Sequence, residues 1–162
     1  MNGGNLFVWN SGQRGFNANM RMLKAYNTAE NFVFRGDGSN METLIGFDPD
    51  VVFLTVFNNV STASDLYADP RMQSIRAVRD RRVYRMPNGA ARMSGPVEEP
   101  LLLQWMAELI HPDMKPRVPL RTAIRNAYRE VFGYEMSDAD IDTMLRVEEN
   151  GVSVNYSRFN RS

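Results

Sequence analysis

Asp48-Pro49-Asp50-Val51-Val52-Phe53-Leu54-Thr55, followed by Ala68-Asp69-Pro70-Arg71-Met72-Gln73-Ser74-Ile75-Arg76-Ala77-Val78 and Arg82-Val83-Tyr84-Arg85-Met86-Pro87, reads as strand, helical segment, strand. The apolar run from Val51 to Phe57 starts just after a proline, and its unbroken character suits a parallel strand buried on both faces under helices. The helical segment then acts as the crossover between two parallel strands.

Working outward, Leu6 to Asn10 reads as a further strand, and Ser11-Gly12-Gln13-Arg14-Gly15 as a polar loop. Phe16, Met20, Leu23 and Tyr26 are spaced as one face of an amphipathic helix. Asn31 to Phe34 suits a short strand, Arg35-Gly36-Asp37-Gly38 a turn, and a short helix is expected from Ser39. Ser61-Thr62 is a cap for a helix running toward Asp69, and Pro70 fits the first position of a second short helix. Arg79-Asp80-Arg81 is a tight connection into the strand Val83 to Met86. Alternating strands and helices with short connections indicate an open α/β layer structure. The expected fold is an open, mostly parallel sheet of about four to five strands flanked by helices, with a helical carboxyl-terminal part.

That last part starts at Pro96, with Leu101, Leu102, Trp105, Met106, Leu109 and Ile110 on a helix closed by His111-Pro112. Leu120, Ile124, Tyr128 and Val131 mark the next helix, with Gly133 as its left-handed terminator. Ser137, with Asp138 and Asp140, caps a final helix carrying Ile141, Met144 and Leu145. An Asn150-Gly151 turn and alternating Val152, Val154 and Tyr156 suggest an extended tail. The organisation expected is a lobe over residues 1–146 and an extended segment over 147–162, packed on it or trailing from it. At 162 residues, a single core is the working assumption.

Composition narrows the classes of function. With 43% hydrophobic and 23% charged residues the chain reads as an ordinary globular protein, without the apolar run of about 18 residues that a membrane span needs. The 19 basic and 19 acidic residues balance, so no global field favours nucleic acid or an anionic surface. Zero cysteines exclude disulfides, thiolate metal sites and cysteine nucleophiles.

Catalytic chemistry is hard to find. His111 is the single histidine, and a position at a helix end beside Pro112 accounts for it better than a role as base or ligand. A zinc or copper site would need carboxylates alone, and these are dispersed. Asp48/Asp50 and Asp138/Asp140/Asp142 read as turn and cap residues. Neither a dinucleotide-binding glycine pattern, a phosphate-binding loop nor a nucleophile elbow is present. The run Arg71, Arg76, Arg79, Arg81, Arg82 and Arg85 has Tyr84 as its sole interleaved aromatic, too little for a nucleic-acid surface, and reads as a solvated face with local ion pairs. No enzyme activity, cofactor, metal site or nucleic-acid partner is expected.

The order of Asp48-Pro49-Asp50-Val51-Val52-Phe53-Leu54, the Ala68 to Ile75 segment, Arg82 to Pro87, and Leu103-Gln104-Trp105-Met106-Ala107-Glu108-Leu109-Ile110-His111-Pro112-Asp113 resembles the carboxyl-terminal lobe of ABC-importer substrate-binding proteins. The branch resembled is the helical-backbone metal-receptor type, which carries iron-siderophore, haem or cobalamin ligands. Those proteins are exported to the periplasm or cell surface, some on a lipid anchor, and hold the ligand in a cleft between two lobes joined by a long helix. The resemblance starts at the first strand of the carboxyl-terminal lobe, and no secretory signal precedes it in the chain. The family's signal, amino-terminal lobe and linking helix are therefore expected upstream.

Ligand contacts in an open α/β sheet gather in loops at the carboxyl ends of strands, where helix termini and free backbone donors converge. Three loops qualify: Asn10 to Phe16, Asn58 to Ser61, and Asn88 to Pro96. The resemblance implies an arginine and an aromatic in the third. Arg92 matches the arginine, while Met93 stands where many relatives have tryptophan, a departure that bears on stacking against a planar ligand. Arg14 and Arg92 suit anionic ligand groups because a guanidinium grips carboxylates and oxyanions in bidentate fashion; the competing reading is a solvated loop arginine. Phe16 and Trp9 suit either a ligand wall or the core, and Asn58 is a further polar contact.

Glu42 has two readings. By resemblance it matches a surface glutamate that pairs with arginines of the membrane permease during docking. It also completes a capping box with Ser39, worth about 1 kcal/mol. The function implied is capture of a metal chelate, most simply a ferric siderophore, and its delivery to an ABC permease. A stand-alone α/β interaction or scaffold domain without a transport role is the alternative, and an enzyme domain on the same layers has only fold analogy behind it.

Overall fold

The computed structural model describes residues 14–30, 41–56, 61–93 and 95–161. The chain divides into two compact units, Met1–Tyr84 and Arg85–Ser162, where a single core was expected. Each unit buries its own set of side chains.

In the first unit, α1 (Arg14–Met22) ends sooner than its apolar spacing suggests. Lys24 turns left-handed at φ 52°, and the Ala25 N–H reaches back to the Met20 carbonyl at 2.9 Å. Met20 is buried as expected, but Tyr26 falls beyond the helix and is 65% exposed. After α2 (Met41–Phe47) comes the parallel strand pair β1 (Val52–Leu54) and β2 (Val83–Arg85). Between them run α3 (Ala63–Ala68), a 3-10 turn (Pro70–Met72) and α4 (Arg76–Arg79).

The crossover follows its residues closely. Thr62 caps α3 through a reciprocal box: its hydroxyl accepts the Asp65 N–H at 3.2 Å, and the Asp65 carboxylate accepts the Thr62 N–H at 2.7 Å. Asp69 accepts the Arg71 N–H at 2.9 Å and so caps the turn that Pro70 begins. Leu44, Val52, Leu54, Ala63, Leu66, Met72, Ile75, Ala77, Val78 and Val83 form one apolar cluster, with Ile45 and Tyr67 packed on it.

The expected sheet of four to five strands is not what the described residues form, since two strands are found there. β1 is three residues long and alternates, with Val52 and Leu54 buried and Phe53 half-buried. It is not a seven-residue run covered on both faces. Just ahead of β2, the Arg82 carbonyl accepts the Val52 N–H at 3.0 Å on the β1 side. The opposite edge is occupied by side chains. The Tyr67 hydroxyl accepts the Val83 N–H at 3.0 Å and donates to the Val83 carbonyl at 3.3 Å. Asn150 does the same for Arg85. Residues two apart on a strand point their backbone groups to the same side, so this edge has no ladder position left for another strand there. The strands expected at Leu6 to Asn10 and Asn31 to Phe34 lie outside the described residues.

The second unit is helical: α5 (Glu99–Ile110), α6 (Leu120–Phe132), α7 (Asp138–Leu145), α8 (Val147–Asn150) and a 3-10 turn (Tyr156–Phe159). α5 starts three residues beyond Pro96 and ends at His111, whose N–H bonds the Ala107 carbonyl. α5 and α6 pack on each other. Gly133, at φ 63°, terminates α6 as its position predicts. Ser137 and Asp140 form the capping box of α7.

Residues 147–162 are not an extended tail. Tyr156 and Phe159 are both buried and stand three apart, a spacing that stacks them on one side of a 3-10 turn. Val152 and Val154 are 38% and 41% exposed while Ser153 is buried, so the alternation has no apolar face to cover. The Tyr156 hydroxyl accepts the Trp105 indole N–H at 3.0 Å and donates to the Leu145 carbonyl, which ties the segment to α5 and α7.

Candidate functional site

The loop from Asn88 to Met93 is the best-defined of the expected ligand loops, and it lies wholly in the second unit. Arg92 and Met93 both adopt the left-handed region, at φ 54° and 58°, a conformation that costs L-residues energy and needs compensation. The Arg92 side chain is exposed and Met93 is 1% exposed. The loop therefore holds its methionine in the core of the unit and turns its arginine out.

Compensation comes from beneath. Glu98 is fully buried. One oxygen of its carboxylate accepts the backbone N–H groups of Ala91 and Met93, both at 2.9 Å, and the other accepts the Tyr128 hydroxyl. That hydroxyl in turn accepts the Ala90 N–H at 3.1 Å. A further turn closes from the Arg92 N–H to the Gly89 carbonyl at 3.1 Å. Burial pushes the Tyr128 phenol up to about 12, opposed by the Ala90 N–H and reinforced by the Glu98 carboxylate.

Gly89 is required by the same arrangement. A Cβ there would stand 2.1 Å from the nearer Glu98 carboxylate oxygen. Sequence reasoning missed Glu98, Tyr128 and Gly89. Tyr128 showed only as a helix-face residue. Glu98 had one usable signal, an acid inside the Pro96 to Pro100 segment where α5 begins, yet it makes no side-chain cap bond to that helix.

Of the other expected site residues, Glu42 lies in the first turn of α2 with its side chain exposed. Ser39, its capping partner, lies outside the described residues. Arg14 and Phe16 fall at the start of α1, and their side chains lie outside the described set, as do Asn58 and Trp9. His111 is an exposed helix-end residue.

The arginine run does not read as one solvated face with local ion pairs, since Arg85 is buried and its partner is 64 residues away. Arg71 grips Asp69, Arg76 reaches both Asp48 and Asp50, and Arg85 pairs with Glu149 at 3.0 Å. Arg79 donates to the Ser74 carbonyl, and the Arg81 guanidinium lies 4.6 Å from the centre of the Tyr67 ring. Among the described residues no group of three or more carboxylates and histidines is placed to hold a metal, and no helix is long and apolar enough to cross a membrane.

A short parallel β-pair with a helical crossover, continued by a helical half, is the architecture of periplasmic solute-binding proteins over part of their length. The chain is similar to a periplasmic solute-binding protein of Veillonella parvula, with 27% identity and a TM-score of 0.76 over 93% of this chain and 49% of that one. It is similar in fold to Helicobacter pylori CeuE, solved as a nickel–histidine complex, at 22% identity and a TM-score of 0.59 over 78% of this chain and 40% of the other. An ABC transporter solute-binding protein of Sulfurospirillum deleyianum matches at 18% identity and a TM-score of 0.60, over 82% and 42% of the two chains. The chain thus spans about half the length of the solved structures it matches. No protein-family model matches it, and no curated protein does.

Proposed function

We propose that the chain is the carboxyl-terminal lobe of the solute-binding component of an ABC importer, acting in the periplasm or at the cell surface. Its ligand on this reading is a metal chelate, most simply a ferric siderophore, passed on to a membrane permease. The observation that carries the reading is the match to the Veillonella solute-binding protein across 93% of this chain. The ligand class draws support from the nickel–histidine complex of CeuE, a metal held with an organic ligand.

In this scheme Arg92 supplies a guanidinium for anionic groups of the chelate, and Arg14, Phe16 and Asn58 are further ligand contacts. Met93 contributes from below by seating the loop. Glu42, exposed on α2, is the docking carboxylate for permease arginines. Affinity is shared with a second lobe across a cleft, so these 162 residues alone bind weakly.

The test is a titration of two proteins, the 162-residue chain and the product of the whole reading frame in which it lies, with ferric siderophore, haem and cobalamin. The longer product is expected to bind one class with sub-micromolar affinity, and the chain alone roughly a hundredfold more weakly. Failure of the longer product to bind any of the three overturns the transport reading. Equally tight binding by the chain alone overturns the shared cleft.

A further inference from the structure

We propose that Glu98 is a positioning residue that sets the conformation of the Asn88 to Met93 loop, and thereby the direction in which Arg92 is presented. Its relevance to a ligand rests on the solute-binding reading above, whereas its effect on the loop does not.

A carboxylate at the first turn of a helix ordinarily bonds that helix's own N–H groups. Glu98 occupies the cap position of α5 and makes no such bond. It turns into the loop instead, where the Ala91 and Met93 amides converge on a single oxygen at 2.9 Å each. Amides two residues apart can meet on one acceptor only when the backbone curls, and here Arg92 and Met93 stand at φ 54° and 58°. Backbone concavities of this kind bind anions. This one is filled from within the protein.

Both oxygens of the Glu98 carboxylate are engaged. Its second oxygen meets the Tyr128 hydroxyl, which takes the Ala90 N–H as well. Ala90, Ala91 and Met93 therefore all direct their amides to the Glu98–Tyr128 pair. Gly89 leaves the space the carboxylate needs, since a Cβ would come within 2.1 Å of one oxygen and 2.6 Å of the carboxyl carbon. A buried carboxylate without these donors would be strongly disfavoured, so loop and glutamate stabilise each other. These amides are consequently occupied by the protein's own carboxylate. Removing the carboxylate leaves a socket that a small carboxylate can refill.

The experiment measures amide hydrogen exchange in the 162-residue protein and its variants Glu98→Gln, Glu98→Ala and Gly89→Ala, with formate or chloride at equal ionic strength. In Glu98→Ala the Ala91 and Met93 amides should exchange about tenfold faster or more, while α6 amides keep their protection. Formate, but not chloride, should restore the two amides. Glu98→Gln, which retains a carbonyl acceptor, should stay within a few-fold of the parent protein.

Gly89→Ala, which displaces the carboxylate without removing it, should expose the same two amides and keeps the test decisive if Glu98→Ala does not fold. Unchanged protection of Ala91 and Met93 in both Glu98→Ala and Gly89→Ala overturns the proposal. So does a loss spread evenly over α5 and α6 that formate does not reverse. Ferric siderophore, haem and cobalamin titrated into the reading-frame product and its Glu98→Ala form separate the two claims. Binding by neither, with exchange changed as expected, overturns the chelate reading and supports the positioning role.

Discussion

The Asn150 side chain serves both backbone groups of Arg85: its carbonyl oxygen accepts the Arg85 N–H at 2.6 Å and its amide donates to the Arg85 carbonyl at 2.9 Å. An asparagine thus stands in for a neighbouring strand. The amide also donates to the Leu145 carbonyl at 3.3 Å, and Asn150 is fully buried. Few side chains could replace it, because the site demands an acceptor and a two-hydrogen donor side by side.

Asn150→Ala is expected to destabilise the protein by about 3 kcal/mol or more, because it strands a buried N–H and leaves two carbonyls short of a donor. Asn150→Asp keeps the acceptor but sets a buried carboxylate oxygen against the Arg85 and Leu145 carbonyls, so a loss at least as large is expected. Urea titration measures both as shifts in midpoint at unchanged slope. Equal stability of Asn150→Ala and the parent would show that Arg85 does not depend on this bridge.

Trp105, Tyr156 and Leu145 form a second relay. Trp105 and Tyr156 are fully buried, with ring centres 6.4 Å apart and an edge-on angle of 70°. Tyr156→Phe retains the ring packing and removes the hydroxyl that accepts from Trp105 and donates to Leu145. A loss of about 1–3 kcal/mol is expected, read from the urea midpoint. Trp105→Phe in the same background should then cost less than in the parent, since its N–H has no partner left to lose.

Local chemistry was readable from the sequence, and non-local satisfaction was not. Thr62, Pro70, Gly133, and Ser137 with Asp140 each stand where the chain announced a cap, a start or a stop, because all their partners lie within a few residues. The free side of β2 was unreadable for the opposite reason. Tyr67 and Asn150, 16 and 65 residues from the strand residues they bond, close the β2 edge through contacts that no periodicity reveals. The tail was misread because Val152 and Val154 alternate, while Tyr156 and Phe159 set the packing at a spacing of three. At the site, Arg92 was legible as a loop arginine. Glu98, which shapes the loop, looked like an ordinary acid before a helix.

On the proposed transport reading, docking through Glu42 gives a prediction separable from ligand capture. Its side chain is exposed on the first turn of α2, so reversing the charge perturbs the fold little. Glu42→Arg in the complete binding protein is expected to lower ligand-stimulated ATPase activity of the cognate permease about tenfold or more, with ligand affinity and melting temperature unchanged. Glu42→Gln should give an intermediate loss. If Glu42 serves only as a cap, both variants reduce stability slightly and leave stimulation intact.

Stability should fall at both ends of the pH scale, for opposite reasons. Arg121 holds Asp138 at 2.8 Å and Asp142 at 2.6 Å, and Arg161 also bonds Asp142. The bond to Arg121 leads in keeping Asp138 below the usual carboxylate range. For Asp142 burial pushes upward, and the bonds from Arg121 and Arg161 outweigh it. Asp48 moves the same way, chiefly through the Arg76 N–H. A carboxyl group whose folded pKa is depressed contributes its stability above the unfolded value of about 4 and loses it as pH falls through the folded value. The acid limb should therefore steepen below about pH 4, and Arg121→Gln should flatten it in part, leaving Asp138 to Arg125 and Asp142 to Arg161.

At the alkaline end the Tyr128 phenol, raised to about 12, stays protonated in the folded protein after the unfolded chain has begun to ionise near 10. Stability is then lost from about pH 10 upward. Tyr128→Phe should remove that part of the alkaline loss while lowering stability at neutral pH, where Glu98 and Ala90 lose their partner. Urea midpoints between pH 3 and 11 measure both limbs, and an alkaline limb unchanged by Tyr128→Phe would show that this phenol does not set it.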